Sequence, residues 1–92
     1  MKLESSNVLV IGGAGFIGSF VVSELLKYPL KKVVVYDNFA RGSKSYLSEQ
    51  LQDERCSIFP FGGDIREIDI LNNAMEGMDY VISLAAMWLL HC

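Results

Sequence analysis

An α/β fold built on a parallel sheet is the class this sequence predicts, and three observations carry it. Short β-branched apolar runs recur along the chain, and each is followed by a stretch whose apolar residues repeat at helical spacing. The runs lack the polar alternation of strands that face water on one side, so they read as strands covered on both faces. A glycine-dense segment separates the first run from the first helix. Strands alternating with helices form βαβ units with right-handed crossovers. The expected order is β-α-β-α-β-α-β, the amino-terminal half of a doubly wound sheet with flanking helices.

Val8 to Ile11 is the first strand, bounded by glycine. From Phe16 the period changes: Ile17, Val21 and Leu25 share a helical face with Phe20 alongside, Ser23, Glu24 and Lys27 point elsewhere, and Pro29 ends the helix. Val33 to Tyr36 is a second strand, Ser43 to Gln52 a weakly patterned second helix, and Cys56 to Pro60 a third strand. Ile68, Leu71 and Met75 define a helical face that stops at Gly77, and Tyr80 to Leu84 makes a fourth strand. The closing "AAMWLLHC" is apolar, which reads as a truncation point, with Trp88, Leu89 and Leu90 packing against structure beyond it.

Ninety-two residues allow one small module, residues 1–92, in which 51% of positions are apolar and 21% charged, an ordinary folding composition. The net charge of −3 comes with no basic stripe, which argues against nucleic acid as a partner. Cys56 and Cys92 have no metal or redox spacing, so a reduced, cytoplasmic setting is expected, with Cys56 a small core residue. Four apolar residues before the glycines are too few for a secretory leader or a membrane span, so no membrane partner is expected. The open edge of an unfinished sheet invites self-association.

The segment "VLVIGGAGFIGSF" carries the chemistry. Gly12, Gly15 and Gly18 have the spacing G-x-x-G-x-x-G directly after a strand and before a helix. In the dinucleotide reading the first makes a tight turn, the second lets the backbone approach a pyrophosphate and the third permits close helix–strand packing. The helix amino terminus then offers unpaired N–H groups to phosphate. The Gly-Lys-Ser/Thr ending of a triphosphate loop is absent. Asp37 ends the second strand roughly 20 residues beyond the loop, the interval at which a carboxylate accepts from both adenosine ribose hydroxyls and repels a 2′-phosphate. That favours NAD over NADP, with Arg41 nearby as a group able to accommodate a phosphate. The alternative is that Asp37 and Asn38 simply start a turn. Asp64, three residues before Glu67, resembles a capping box at a helix start.

"VLVIGGAGFIG", "VVVYDNFARG", "GDIRE" and "DYVISLAA", in this order, resemble the amino-terminal part of the extended short-chain dehydrogenases, the NAD-dependent nucleotide-sugar epimerase/dehydratase family with its Rossmann-like fold. The resemblance covers nearly the whole chain and departs at Ile11, where typical members have Thr. It implies that Gly12, Gly15, Phe16, Ile17 and Gly18 line the pyrophosphate, that Asp37 and Asn38 hold the ribose, and that Asp64 and Ile65 meet adenine. Leu84, Ala85 and Ala86 match the segment flanking the cofactor, or are plain strand-end core.

The family's chemistry implies a Tyr-x-x-x-Lys base and a serine or threonine, with nucleotide sugar as the substrate of a longer chain. The one such spacing here, Tyr28 to Lys32, contains Pro29 and comes after the first helix, so it cannot place both side chains on one helical face. His91 beside Cys92 lacks an orienting third group. No catalytic residue is therefore assigned, and the functions open to the chain are the NAD-binding segment of an oxidoreductase, a non-catalytic dinucleotide module, or an interaction piece.

Overall fold

A computed structural model describes residues 4–12, 14–39, 43–62 and 64–84. Four strands, β1 (Asn7–Ile11), β2 (Lys32–Tyr36), β3 (Cys56–Ile58) and β4 (Tyr80–Ser83), form one parallel sheet in the order β3-β2-β1-β4. Two α-helices accompany them, α1 (Phe16–Leu25) and α2 (Ile68–Met75).

Both faces of the central strands are covered, as their unbroken apolar character requires. Val8, Val10, Val33 and Val35 point into one core with Val22 and Leu25 of α1, Leu47 and Cys56. Their neighbours Leu9, Ile11, Val34 and Tyr36 point into the other, with Ala74 of α2. Each fully buried aliphatic side chain contributes roughly 1.5–3 kcal/mol relative to exposure. Because α1 leads from β1 to β2 and α2 from β3 to β4, the connections leave β1 on opposite sides. The carboxyl ends of β1 and β4 thus border a topological switch point, where open α/β sheets bind ligands.

Several local expectations are corrected. In α1 the buried residues are Gly18, Ser19, Val22 and Leu25, whereas Ile17 and Phe20 are 65% and 60% exposed. The helix lays its smallest residues toward the sheet, and the Ser19 hydroxyl is satisfied by donating to the Phe16 carbonyl at 2.7 Å. The expected helix over Ser43–Gln52 is two short 3-10 helices, Lys44–Leu47 and Gln50–Gln52. The Ser43 hydroxyl caps the first of these by accepting from the Ser45 amide at 3.2 Å. β3 stops at Ile58, short of Pro60, although the Phe59 amide still donates to the Val35 carbonyl. β4 ends at Ser83 while Leu84 continues the bonding by donating to the Ile11 carbonyl at 2.8 Å.

α2 begins at Ile68 and its amino-cap residue is Glu67, with no side-chain cap, so the capping box from Asp64 does not form. Its packed residues are Ile70, Leu71 and Ala74, while Ile68 and Met75 are exposed. Its end before Gly77 is as expected. Cys56 is buried as expected, and burial, with the nearby Asp53 charge, pushes its thiol up to about 11.

Arg55 closes the carboxyl end of α1. Its Nη2 donates to the Leu26 carbonyl at 2.7 Å and its Nη1 to the Tyr28 carbonyl at 2.8 Å, while Asp53 grips the same guanidinium. Cations suit this end of a helix. The Arg55 side chain and then its backbone amide hold the Asp53 carboxyl at about 2, below the usual 3.8. A depressed carboxyl stabilises the fold above its unfolded value and ceases to do so as pH falls through its folded value. Stability should therefore decline between about pH 4 and pH 2. In Asp53→Asn that decline should be shallower, as denaturant midpoints measured across the range will show; an unchanged slope would remove Asp53 from the acid response.

Candidate functional site

The site is assembled at the carboxyl ends of β1 and β2. The Gly12 amide donates to the Tyr36 carbonyl at 2.9 Å, extending the ladder past the end of β1. Gly12 then takes φ +83, in the left-handed region that glycine occupies without penalty, and the chain turns sharply into α1. Gly15 precedes the first turn of that helix with no side-chain cap, and no acidic residue lies in the turn. A Cβ built on Gly15 meets nothing within 4 Å. The helix terminus therefore presents backbone N–H groups and its positive dipole end toward open space. Phe16 and Ile17 stand at this terminus 63% and 65% exposed, and Gly18 is buried.

Asp37 reaches this loop from the neighbouring strand end. Its Oδ2 accepts from the Ala14 amide at 3.0 Å and its Oδ1 from the Phe39 amide at 2.7 Å. The carbonyl of Ala14 in turn accepts from the Ser43 amide at 3.1 Å. An ionised carboxylate has about four acceptor positions, so Asp37 can hold the loop and still take two further donors. The turn reading of Asp37 is realised in the Phe39 bond, and it coexists with the tie to the Ala14 amide. Asn38 is exposed beside it, and Phe39 takes φ +63, a strained value for a non-glycine residue.

Beyond β3, the Tyr36 hydroxyl donates to the Asp64 carbonyl at 3.0 Å. The Asp64 carboxylate is gripped by Arg66, through its backbone amide at 2.8 Å, Nε at 3.0 Å and Nη2 at 2.6 Å. The side-chain and then the backbone bond from Arg66 hold that carboxyl at about 2. Ile65 packs against the α2 side of the sheet. Leu84 packs against the other core, and Ala85 and Ala86 lie outside the described residues, as do Arg41, Trp88, His91 and Cys92. The glycine loop, Asp37 and the Asp64 turn thus gather at the carboxyl ends of the strands.

Tyr28 is not part of this assembly. It lies past the opposite end of α1, a helix of 10 residues and about 15 Å in length, and it is exposed. Three contributors escape a motif-based reading: Ala14, Tyr36 and Arg66. Of these only Tyr36 leaves a trace in the sequence, as a polar-tipped ring ending a valine run and directly preceding Asp37. Among the described residues, no three of His, Cys, Asp and Glu gather as a metal site, and no helix is long and apolar enough to cross a membrane.

Residues 9–92 match the model of the 3-beta hydroxysteroid dehydrogenase/isomerase family. UDP-glucose 4-epimerase of Neisseria meningitidis is 39% identical over 83 residues, which is 88% of this chain and 24% of that protein. The inverting UDP-N-acetylglucosamine 4,6-dehydratase of Campylobacter jejuni is 33% identical, over 91% of this chain and 25% of its own length. Among solved structures, the Bordetella bronchiseptica enzyme WbmF in complex with NAD+ matches with a TM-score of 0.72 and 30% identity, over 91% of this chain and 24% of WbmF. Pen from Bacillus thuringiensis matches with a TM-score of 0.74 and 34% identity, over 92% and 27% respectively. The chain thus spans about a quarter of the length of these relatives, and it shares its Rossmann-like sheet with the two solved structures.

Proposed function

Since the chain belongs to the 3-beta hydroxysteroid dehydrogenase/isomerase family, we propose that it holds the adenosine diphosphate ribose half of NAD in an oxidoreductase acting on nucleotide sugars. The carrying observation is the juxtaposition of an uncapped α1 terminus, with open space at Gly15, and the Asp37 carboxylate hydrogen-bonded to Ala14 in the same loop. WbmF, solved with NAD+ and also with NAD+ and UDP, supports the choice of ligand.

In this reading Gly12, Gly15 and the amides opening α1 seat the pyrophosphate, with Phe16, Ile17 and Gly18 forming its floor. Asp37 uses its two spare acceptor positions for the ribose hydroxyls, beside Asn38. Asp64 and Ile65 receive adenine, and Leu84 borders the cofactor where β4 ends. NAD when bound supplies the hydride acceptor. This chain's residues orient it and refuse a 2′-phosphate, which would meet the Asp37 charge.

Titration calorimetry with NAD, adenosine diphosphate ribose and NADP tests the assignment. The first two should bind within about threefold of each other, because every group invoked faces the shared half. NADP should bind at least about tenfold more weakly, from juxtaposed like charges. Equal affinity for NADP, or no affinity for adenosine diphosphate ribose, would overturn it.

A further inference from the structure

We infer that Phe39 is the positioning residue for discrimination between NAD and NADP, holding the Asp37 carboxylate in the orientation from which it opposes a 2′-phosphate. The inference rests on the proposed dinucleotide reading and adds to it a residue that acts through Asp37 and touches no ligand. Repulsion between like charges falls with their separation, so a carboxylate free to turn swings away from an incoming phosphate and discriminates less.

Two amides hold this carboxylate. The Ala14 amide donates to Oδ2 at 3.0 Å and the Phe39 amide to Oδ1 at 2.7 Å. The first donor is fixed from elsewhere, since the Ala14 side chain is fully buried and the Ala14 carbonyl accepts from the Ser43 amide. The second is fixed through Phe39. That residue has φ +63, in the left-handed region that bulky side chains rarely occupy. Such a conformation persists where the surrounding contacts over-determine it. Here the Phe39 side chain packs against the buried core on the α1 side of the sheet, and Lys44 Nζ lies 5.8 Å from its ring centroid, within reach of a cation–π contact. A glycine would take the same φ without strain and would turn freely. The anchored ring instead commits the amide, and with it Oδ1, to one position.

The test measures NAD and NADP by calorimetry on the wild-type chain, Phe39→Gly and Phe39→Leu. Wild type should prefer NAD by at least about tenfold, and Phe39→Gly should reduce that preference to about threefold or less. Phe39→Leu keeps an apolar anchor and should stay within about twofold of the wild-type preference. A merely structural role lowers both affinities in proportion and leaves their ratio intact. Phe39→Asn, which tolerates the left-handed region but lacks the anchor, should behave as Phe39→Gly does and serves where that variant does not fold. Phe39→Gly should also weaken NAD itself by about fivefold in the wild-type background but by less than about twofold in Asp37→Ala, because its effect passes through the carboxylate. Equal losses in the two backgrounds would mean that the ring touches the cofactor, and would overturn the inference. A preference kept by Phe39→Gly and Phe39→Asn, or lost in Phe39→Leu, would overturn it too, and in each of these cases the dinucleotide site stands. A wild-type chain that binds NAD and NADP alike would overturn the discriminating role of Asp37 and the inference with it. Failure of wild type to bind either would overturn the site itself and both roles.

Discussion

Gly15→Ala should weaken NAD binding by at least about tenfold while leaving the stability of the fold within about 0.5 kcal/mol of wild type. The two halves of this expectation have separate causes. Gly15 has φ −83 and ψ 176, extended backbone that any residue adopts, and a Cβ there meets no atom within 4 Å. Alanine also has fewer unfolded conformations to lose, which offsets any small local cost. The added methyl group stands in the space assigned to the pyrophosphate, which approaches the main chain closely only where no side chain intervenes. Gly12 offers no such separation, because φ +83 strains any other residue and the fold would suffer together with binding. Calorimetry with NAD and denaturant unfolding of the same sample read both quantities. Unchanged affinity in a fully folded Gly15→Ala would place the pyrophosphate elsewhere.

Asp37→Ala should reduce NAD affinity by about a hundredfold and abolish the preference for NAD over NADP, and it should destabilise the fold by about 1–3 kcal/mol. The stability loss arises from the Ala14 and Phe39 amides, both left without their carboxylate acceptor. A fall in affinity alone would therefore not identify Asp37 as a ribose ligand, since disordering the glycine loop also lowers it. The ratio of NAD to NADP affinity separates the roles: loop damage affects both dinucleotides alike, whereas removing the negative charge relieves NADP alone. Asp37→Asn keeps one acceptor oxygen and should retain more stability than Asp37→Ala while still losing the discrimination. A persistent preference for NAD in both variants would take the discriminating role away from Asp37.

The strands and the glycine loop were legible in the sequence because buried parallel strands are written as plain apolar runs, and Val8–Ile11 and Val33–Val35 have nothing polar to confuse them. The rotation of α1 was not legible. "FIGSFVVSEL" is apolar around most of its circumference, so the stripe of Ile17, Val21 and Leu25 competes with that of Gly18, Val22 and Leu25. Only the close approach of small residues to the sheet decides between them. The Ser43–Gln52 segment forms two short 3-10 helices, and its weak apolar pattern held nothing that separates them from one α-helix. At the site, Asp37 could be singled out by its interval from the loop, but its bond to the Ala14 amide joins residues 23 apart and arises from neither local pattern. Likewise the tie from Tyr36 to Asp64 exists only once β2 and β3 lie side by side.

The sheet order has a consequence for how the chain reaches this structure. Of the four described strands β1 is the first in the chain, yet it is an inner strand, and one of its flanks is filled by β4, the last of them. The bond from the Asn7 amide to Asp79 Oδ2 spans 72 residues. Such distant pairings are slow to form, because closing the intervening loop must precede any gain from the contacts. Through that interval Val8–Ile11, an apolar run without a charge, presents an unpaired edge able to template contact with another chain. The segment that leads into the glycine loop is thus also an aggregation hazard in the nascent chain until Tyr80–Ser83 arrives beside it.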